Sequence, residues 1–234
     1  MDTGLKDFLE NKFKLLEKNG WISQEDFHKF ISDENINYCL INCEKPKLDE
    51  VFYALEVTPI EKVKVLIIGQ DPYPNSDDAH GLAFSSRAVK TPYSLARIFE
   101  AINDELGLNI KKNIKKNELT GWARQGVLLL NMGLTHKSKD QNEIERHISA
   151  WRPFILYIIN RLFEYKKEHN QKLAVILWGD KAQSITKIFP EAEKSFCVIK
   201  SLHPAYQGGI HFKSARCFKK CAKYLDGSIK WDCL

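Results

Sequence analysis

Four short apolar runs, separated by longer amphipathic stretches, are the clearest pattern along the chain. They cover residues 63–69, 126–131, 173–179 and 197–201 and are rich in Val, Ile and Leu. A strand with one solvated face alternates apolar and polar residues, whereas a strand buried on both faces of a parallel sheet is almost continuously apolar. The pattern therefore predicts four strands of one mainly parallel sheet.

The stretches between these runs carry apolar residues at helical spacing. This spacing predicts helices at residues 94–106, 151–168, 182–189 and 214–225. Strands that alternate with helices are typical of α/β proteins, in which helices cover both faces of the sheet. We predict a single-domain, three-layer α/β/α fold with a central four-stranded, mainly parallel sheet.

Residues 1–44 have the pattern of a helical cap on this body. Phe8 and Phe13 fit a helix, Asn19 and Gly20 form a typical helix stop, and Ser23 is a typical helix start. No linker or shift in composition divides the chain. We therefore expect residues 1–234 to form one domain that includes the cap.

The composition is that of a protein with a sizeable core. The chain has 234 residues, 44% of them hydrophobic, and no run approaches the roughly 18 apolar residues that a membrane-spanning helix needs. We therefore expect a soluble, intracellular protein without a secretory signal and without a membrane partner. The formal net charge of +5 is compatible with a polyanionic partner but does not identify one.

Six cysteines raise the question of a metal site. Cys39 and Cys43 are spaced so that a helical segment would place them on one face, as are Cys217 and Cys221, and either pair could then contribute to a metal or iron–sulfur site. Both pairs, however, lie among apolar neighbours and lack the two-residue spacing of zinc knuckles. We expect reduced, mostly buried thiols and no metal.

Polar residues follow the predicted strands at the edge where chemistry is expected. In an open parallel α/β sheet, ligands bind beyond the carboxyl ends of the strands. Gln70 and Asp71 follow the first apolar run, Asn131 ends the second, Gly179 ends the third, and His203 follows the fourth. We expect these residues to converge on one edge of the sheet.

Five sequence blocks contain these residues and resemble the family 1 uracil-DNA glycosylases, in order and approximate spacing. The resemblance runs from about residue 45 to residue 231 and is carried by GQDPYPNSDDAHGLAFS (69–85), TPYSL (91–95), WARQGVLLLN (122–131), ILWGDKAQ (176–183) and SLHPAYQGG (201–209). It implies a monomeric DNA-repair hydrolase that cleaves the N-glycosidic bond of uracil in DNA. Such an enzyme leaves an abasic site for base excision repair and needs no cofactor.

The resemblance also implies roles for individual side chains. Asp71 would position the attacking water and stabilise the cationic sugar, and His203 would donate a hydrogen bond to the uracil oxygen on which negative charge accumulates. Asn131 would read the base edge, and Tyr73 would exclude the methyl group of thymine. By the same resemblance, the base is also contacted by the ring of Phe84 and the backbone of Gln70.

A further set of residues corresponds to the DNA-contacting loops of the family. These residues are Pro92, Ser94, Gly179, Pro204, Tyr206, Gln207 and Gly208. Gln207 occupies the place of the intercalating leucine in the family pattern HPSPLS, and the neighbouring Tyr206 is an aromatic alternative.

Several positions depart from the family pattern. Ala205, Gly208 and Asp180 replace serines that grip phosphates, and the basic residues Lys213 and Arg216 are candidates to compensate. Pro74 replaces a histidine that orders water near the aspartate. Residues 136–151 replace a loop that contains histidine and serine, and they leave His147 without a clear counterpart.

Three alternatives follow from these departures. The altered DNA loops allow a glycosylase-fold scaffold of a replication complex, and they also allow a glycosylase for other damaged bases, although Tyr73 argues against a wide pocket. The cysteine pairs allow an iron–sulfur glycosylase of another branch. The sequence also leaves open a protein inhibitor or replication partner, the preference for single- or double-stranded DNA, and the compartment.

Overall fold

The central sheet of the protein consists of four parallel strands. A computed structural model describes residues 3–74, 78–110, 117–206 and 210–234. The strands are Val65–Gly69 (β1), Val127–Asn131 (β2), Ala174–Trp178 (β3) and Cys197–Ser201 (β4), in the order β2-β1-β3-β4. All neighbouring pairs are parallel. The predicted α/β fold with four strands is confirmed.

The strands are in register at their carboxyl ends. Gly69 at the end of β1 pairs with Asn131 at the end of β2, and Trp178 at the end of β3 pairs with Ser201 at the end of β4. Every residue of β1, β2 and β3 is buried, so both faces of the sheet are covered. The strand order changes direction between β1 and β3, and ligands of open α/β sheets bind beside this point.

Twelve α-helices surround the sheet in the described part of the chain. They are Thr3–Lys18 (α1), Gln24–Ile31 (α2), Glu34–Ile41 (α3), Tyr53–Val57 (α4), Tyr93–Leu106 (α5), Thr120–Arg124 (α6), Gln141–Glu168 (α7), Gly179–Gln183 (α8), Ile185–Ile188 (α9), Ala192–Ser195 (α10), Ile210–Ser214 (α11) and Cys217–Tyr224 (α12). Two 3-10 turns occur at Leu48–Glu50 and Ile60–Lys62. None of the described helices has the length and apolar run needed to cross a membrane.

Helix boundaries differ from the prediction in three places. Helix α7 begins ten residues before the predicted start, at Gln141, because Asp140 caps it by accepting hydrogen bonds from the backbone N–H of Asn142 and Glu143. It also continues through Pro153. The helix predicted at 182–189 is divided into α8 and α9. The helix predicted at 214–225 begins three residues later, as α12, and a separate helix, α11, precedes it.

The N-terminal segment packs as a helical cap. Ser23 caps α2 as predicted, by accepting a hydrogen bond from Asp26 N, and α3 contains Cys39 but ends before Cys43. The side chains of Asn19 and Trp21 both donate to Leu55 O, over 2.9 Å and 3.0 Å. These buried hydrogen bonds attach the turn after α1 to the body.

The C-terminal segment is held by an aromatic cluster. Trp231 packs edge-on against Trp122, with ring centroids 5.0 Å apart, and against Phe218, 4.9 Å apart. The indole N–H of Trp122 donates to Trp231 O over 2.9 Å. Because Trp231 is almost fully buried, this cluster anchors the segment that follows α12.

We predict that Trp231→Ala lowers the free energy of unfolding by roughly 3–5 kcal/mol, because it removes a large buried side chain and leaves a cavity. Urea denaturation followed by circular dichroism measures this loss. The matched control is Ile41→Ala, which truncates a side chain that is 68% exposed and should stay within about 0.5 kcal/mol of wild type. Equal losses in both variants would contradict an anchoring role for Trp231.

Candidate active site

A cavity of about 210 Å³ opens at the carboxyl edge of the sheet, beyond β1 and β2. Its lining contains all six residues that were predicted to act on the base or its glycosidic bond. These are Gln70, Asp71, Tyr73, Phe84, Asn131 and His203. The parallel register brings them together from the ends of three strands and from the loop after β1.

The contact between Gly69 and Asn131 sets the depth of this cavity. A Cβ atom added to Gly69 would lie 2.2 Å from Asn131 Oδ1 and 2.9 Å from Ala83 Cβ. Only glycine therefore allows the Asn131 amide to lie against the end of β1. Gln70 O accepts a hydrogen bond from Gly133 N over 2.9 Å, which ties the loop after β1 to the loop after β2.

Phe84 has a backbone conformation that side-chain-bearing residues rarely adopt, with φ of 62°. Its ring packs against Trp178, with centroids 5.1 Å apart, and against His203, 5.9 Å apart. Backbone strain of this kind persists only where the surroundings hold it, and it is concentrated at functional sites. The strained conformation here directs an aromatic ring into the cavity wall.

A buried hydrogen-bond network supports the Phe84 loop. His80 Nε2 lies 2.6 Å from Ser85 Oγ, which also accepts a hydrogen bond from Leu119 N over 2.7 Å. Since Ser85 Oγ accepts from the backbone, its own proton is free to go to His80. Burial lowers the pKa of His80 from 6.5 to about 4, so this imidazole stays neutral in the folded protein near pH 7.

The structure fixes the tautomer of His203. Its Nδ1 accepts a hydrogen bond from Ala205 N over 3.2 Å, so the proton of the neutral ring is on Nε2. Burial lowers the pKa of His203, which keeps the ring neutral near pH 7. A Cβ atom on Gly179 would lie 3.2 Å from His203 Cβ, and the φ of 82° at Gly179 is a second reason for glycine there.

Tyr73 forms another wall of the cavity. Its hydroxyl donates to Phe84 O over a long 3.4 Å, and burial raises its pKa. The phenol is therefore uncharged near pH 7. Both features make Tyr73 a fixed steric boundary instead of an ionisable group.

Asp71 has a neighbour that the sequence did not suggest. His136 Nδ1 lies 3.6 Å from Asp71 Oδ2, and the two side chains are 3% and 21% exposed. His136 follows Asn131 by five residues, so an inspection of residues directly after the strands misses it. A wider search of the same loop for ionisable groups could have found it.

Comparison with known proteins identifies the family of this arrangement. The model of the uracil DNA glycosylase superfamily matches residues 55–226. The uracil-DNA glycosylase of Agathobacter rectalis is 37% identical over 204 residues, which cover 83% of this chain and 84% of that protein. The uracil-DNA glycosylase of Pseudomonas paraeruginosa is 40% identical over 186 residues, which cover 77% and 74%. The chain belongs to the uracil DNA glycosylase superfamily.

The fold agrees with this assignment. The crystal structure of the Y322F variant of mimivirus UNG in complex with UGI superposes with a TM-score of 0.63 at 25% identity. The superposition covers 82% of this chain and 72% of that one.

Five of the seven predicted DNA-contacting residues of this superfamily member are in the described part of the chain. Pro92 precedes the first residue of α5, and Ser94 lines the cavity. Gly179 lines an adjoining depression of about 240 Å³ that shares Phe84 and His203 with the cavity. Pro204 is buried, whereas Tyr206 is 52% exposed. Gln207 and Gly208 lie outside the described residues.

Two basic residues that follow the carboxyl ends of β3 and β4 in the chain, Lys181 and Lys213, are paired with carboxylates. Lys213 Nζ lies 2.8 Å from Asp104 Oδ2, and Lys181 pairs with Glu145. Asp180 lies in the first turn of α8. This glycosylase-fold protein thus presents a mixed surface there, and Lys213 must exchange its partner before it can contact a phosphate.

His147 is part of the core of the protein. Thr135 Oγ1 accepts a hydrogen bond from Trp151 Nε1 over 2.7 Å and lies 2.8 Å from His147 Nδ1. Thr135 Oγ1 thus links the side chains of Trp151 and His147 inside the core. Burial also lowers the pKa of His147, and the ring stabilises the start of α7.

The cysteine pairs have the properties of buried thiols. Burial raises the pKa of Cys39 to about 11 and that of Cys221 to about 12, which disfavours the thiolate that metals bind. Across residues 3–74, 78–110, 117–206 and 210–234, no three His, Cys, Asp or Glu side chains form a cluster that could hold a metal ion. The six cysteines are all unpaired.

We predict that acid weakens the fold through His80. Between pH 6.5 and about 4 the unfolded chain protonates this ring and the folded protein does not, so the free energy of unfolding falls as the pH falls. The shift corresponds to about 3 kcal/mol at most. His80→Gln should make the pH dependence of urea denaturation shallower, and the exposed His169→Gln should leave it unchanged. An unaltered dependence in His80→Gln would contradict this role.

Proposed function

We propose that this protein excises uracil from DNA by hydrolysing the bond between the base and deoxyribose, which leaves an abasic site for base excision repair. The observation that carries this proposal is the single cavity in which Asp71, Asn131, Tyr73, Phe84 and His203 meet. The uracil-DNA glycosylases that are 37% and 40% identical to the chain support the same activity.

The reaction separates charge, and the cavity offers a group for each charge. As the glycosidic bond breaks, its electron pair leaves with the uracil and the sugar becomes cationic. The partly exposed Asp71 carboxylate lies where it can stabilise that cation and orient a water molecule. The water oxygen then bonds to the sugar carbon and gives up one proton, which the Asp71 carboxylate accepts.

The neutral His203 is suited to the departing base. Its Nε2–H is the remaining donor of the ring, because Nδ1 already accepts from Ala205 N. A hydrogen bond from Nε2 to a uracil oxygen stabilises the anion as it forms, and a fixed donor in a cavity that excludes water is more effective than water itself. Burial of His203 thus favours the protonation state that this role requires.

Base recognition divides between polar and steric contacts. The Asn131 amide offers one acceptor and one donor to the N–H and carbonyl of the uracil edge, and cytosine presents a different pattern there. Tyr73 limits the space beside the C5 position, where thymine carries a methyl group. The Phe84 ring provides a stacking surface.

The uracil base reaches the cavity only after its nucleotide has been flipped out of the DNA helix. By the family resemblance, Pro92, Ser94 and Gly179 would contact the phosphate backbone, whereas Pro204 is buried and would have to become exposed to do so. Tyr206 is the exposed aromatic residue nearest to His203 in the chain, and its N–H donates to His203 O over 2.9 Å. These features support Tyr206 as the side chain that fills the vacated stack, with Gln207 as the alternative.

The scaffold alternative has less support than the enzyme. A pure DNA-binding subunit has no need for a strained Phe84, a glycine-dependent Asn131 and a neutral His203 around one small cavity. A glycosylase for larger damaged bases is likewise disfavoured, because Tyr73 is held by the backbone of the Phe84 loop.

In addition to DNA, we infer a protein inhibitor as a binding partner. The mimivirus structure in complex with UGI supports such a partner. We also place the activity inside the cell, where DNA is, as part of this proposal.

The central prediction concerns the two catalytic side chains. Asp71→Asn and His203→Ala should each reduce uracil release by roughly 100- to 10,000-fold, since each removes an interaction made in the transition state. An oligonucleotide with one uracil, treated with hot alkali after incubation, reports base loss as strand scission.

Matched controls are the same substitutions at exposed, distant positions, Asp226→Asn and His169→Ala, which should retain wild-type rates. Binding of the oligonucleotide without scission by the wild-type protein would overturn the proposed function in favour of the scaffold.

Tyr73→Ala should admit thymine, because it removes the ring that limits space beside C5. The ratio of kcat/KM for uracil to that for thymine should fall by roughly 10- to 200-fold, the range for one carbon group in a fitted pocket. Matched oligonucleotides with uracil or thymine at one site measure this ratio. Tyr73→Phe keeps the ring and should retain discrimination; a loss there would show that the hydroxyl, not the ring, excludes thymine.

A further inference from the structure

His136 is a buried histidine whose ring has no hydrogen-bond partner in the described residues. The residue is 2% exposed, and neither Nδ1 nor Nε2 forms a hydrogen bond with another described group. A buried polar group without a partner costs free energy, so such groups are rare unless they serve a function. The imidazole therefore needs an explanation beyond packing.

Among the described residues, Asp71 is the acidic residue that lies within 4 Å of the His136 ring. His136 Nδ1 lies 3.6 Å from Asp71 Oδ2, which is outside the range of a hydrogen bond. A shift of about 0.7 Å would bring the two atoms to the usual N–H···O distance. Catalytic hydrogen bonds are often long in the free enzyme and shorten when substrate binds.

The backbone of His136 is fixed, so the approach to Asp71 is not an accident of a free loop. His136 N donates to Lys45 O over 2.8 Å, and His136 O accepts from the N–H groups of Glu44 and Lys45, both over 3.0 Å. This short bridge joins the loop after β2 to the segment that follows the helical cap. The ring is therefore held on the buried side of Asp71, while Asp71 itself lines the cavity.

Among the described residues, His136 is the only side chain that lies within ion-pair distance of Asp71. Pro74, three residues later in the same loop, has no side-chain donor. The carboxylate can rotate about its side-chain bonds, and each rotation moves the oxygen that must face the sugar and the water. A donor on the buried side would restrict that rotation and leave the second oxygen directed into the cavity.

We propose that His136 is a positioning residue for Asp71, with Nδ1–H donating to Asp71 Oδ2 during uracil excision. The inference rests on the proposed function, because it assigns a partner to the carboxylate of that reaction. His136 contacts neither the base nor the sugar, and it acts through Asp71.

Three substitutions distinguish hydrogen-bond donation by Nδ1 from an effect of side-chain volume. His136→Asn places an amide N–H near the position of Nδ1, His136→Gln places it near Nε2, and His136→Leu fills the space without a donor. We expect His136→Leu to reduce kcat by about 10- to 100-fold with KM changed by less than about twofold, since a hydrogen bond to a charged group is lost after binding. His136→Asn should recover most of kcat, and His136→Gln should recover less.

The decisive measurement combines His136→Leu with Asp71→Asn in single-turnover assays on the uracil oligonucleotide. If His136 acts through Asp71, His136→Leu should have almost no further effect once the carboxylate is gone. Equal fold-losses in the presence and absence of the carboxylate would overturn the proposal. Thermal unfolding of each variant identifies losses that come from a damaged fold.

His147→Leu is the control for the packing of this loop, because it removes a neighbouring buried histidine that does not contact Asp71. It should keep the wild-type kcat; a loss equal to that of His136→Leu would assign the effect to loop packing and overturn the inference. A wild-type protein that releases no uracil would refute the proposed function itself. Full activity in His136→Leu, beside an active wild type, would refute only the role of His136.

Discussion

The in-register pairing of parallel strands is the constraint on which the site depends. Each backbone hydrogen bond between β1 and β2 fixes how far one strand extends beyond its neighbour, and the pairing of Gly69 with Asn131 ends both strands at the same level. A parallel strand shifted by one residue would turn every side chain to the opposite face. Asn131 would then leave the cavity, and its close contact with Gly69 would be lost.

The folded protein maintains local backbone conformations that would be unfavourable in an isolated segment. Phe84 is held at positive φ by the rings of Trp178 and His203 and by the network from His80 through Ser85. The energetic cost of each such feature is offset by the surrounding core. A rigid, partly strained wall is what a cavity needs if it must accept one base and reject a slightly larger one.

The segment that follows the N-terminal helices is hydrogen-bonded to the loop that carries His136. The chain leaves α3, passes Cys43, and pairs with His136 through Lys45. Through this bridge, the position of a buried histidine beside Asp71 depends on a segment that is distant in the sequence. The surface at the same edge is less specialised, because Lys213 and Lys181 are already paired with carboxylates.

The strands and the residues that follow them were predictable from local sequence patterns. Buried parallel strands are recognisable locally, since the burial of both faces makes every position apolar, and Asp71, Asn131 and His203 could be located at their ends. Helix starts were harder to predict. The polar first turns of α7 hid its first ten residues, which the Asp140 cap and the burial of Trp151 stabilise. Here tertiary contacts outweighed local propensity.

The distances between side chains of different loops, in contrast, depend on how the whole chain packs. The distance from His136 to Asp71, the positive φ of Phe84 and the proton position on His203 each depend on atoms from two or more separate segments. Such relations have no signature within a short window of sequence, because they arise when packing and hydrogen bonding bring those segments together. Local apolar patterns predict the scaffold, whereas the geometry that orients catalytic groups is a property of the assembled fold.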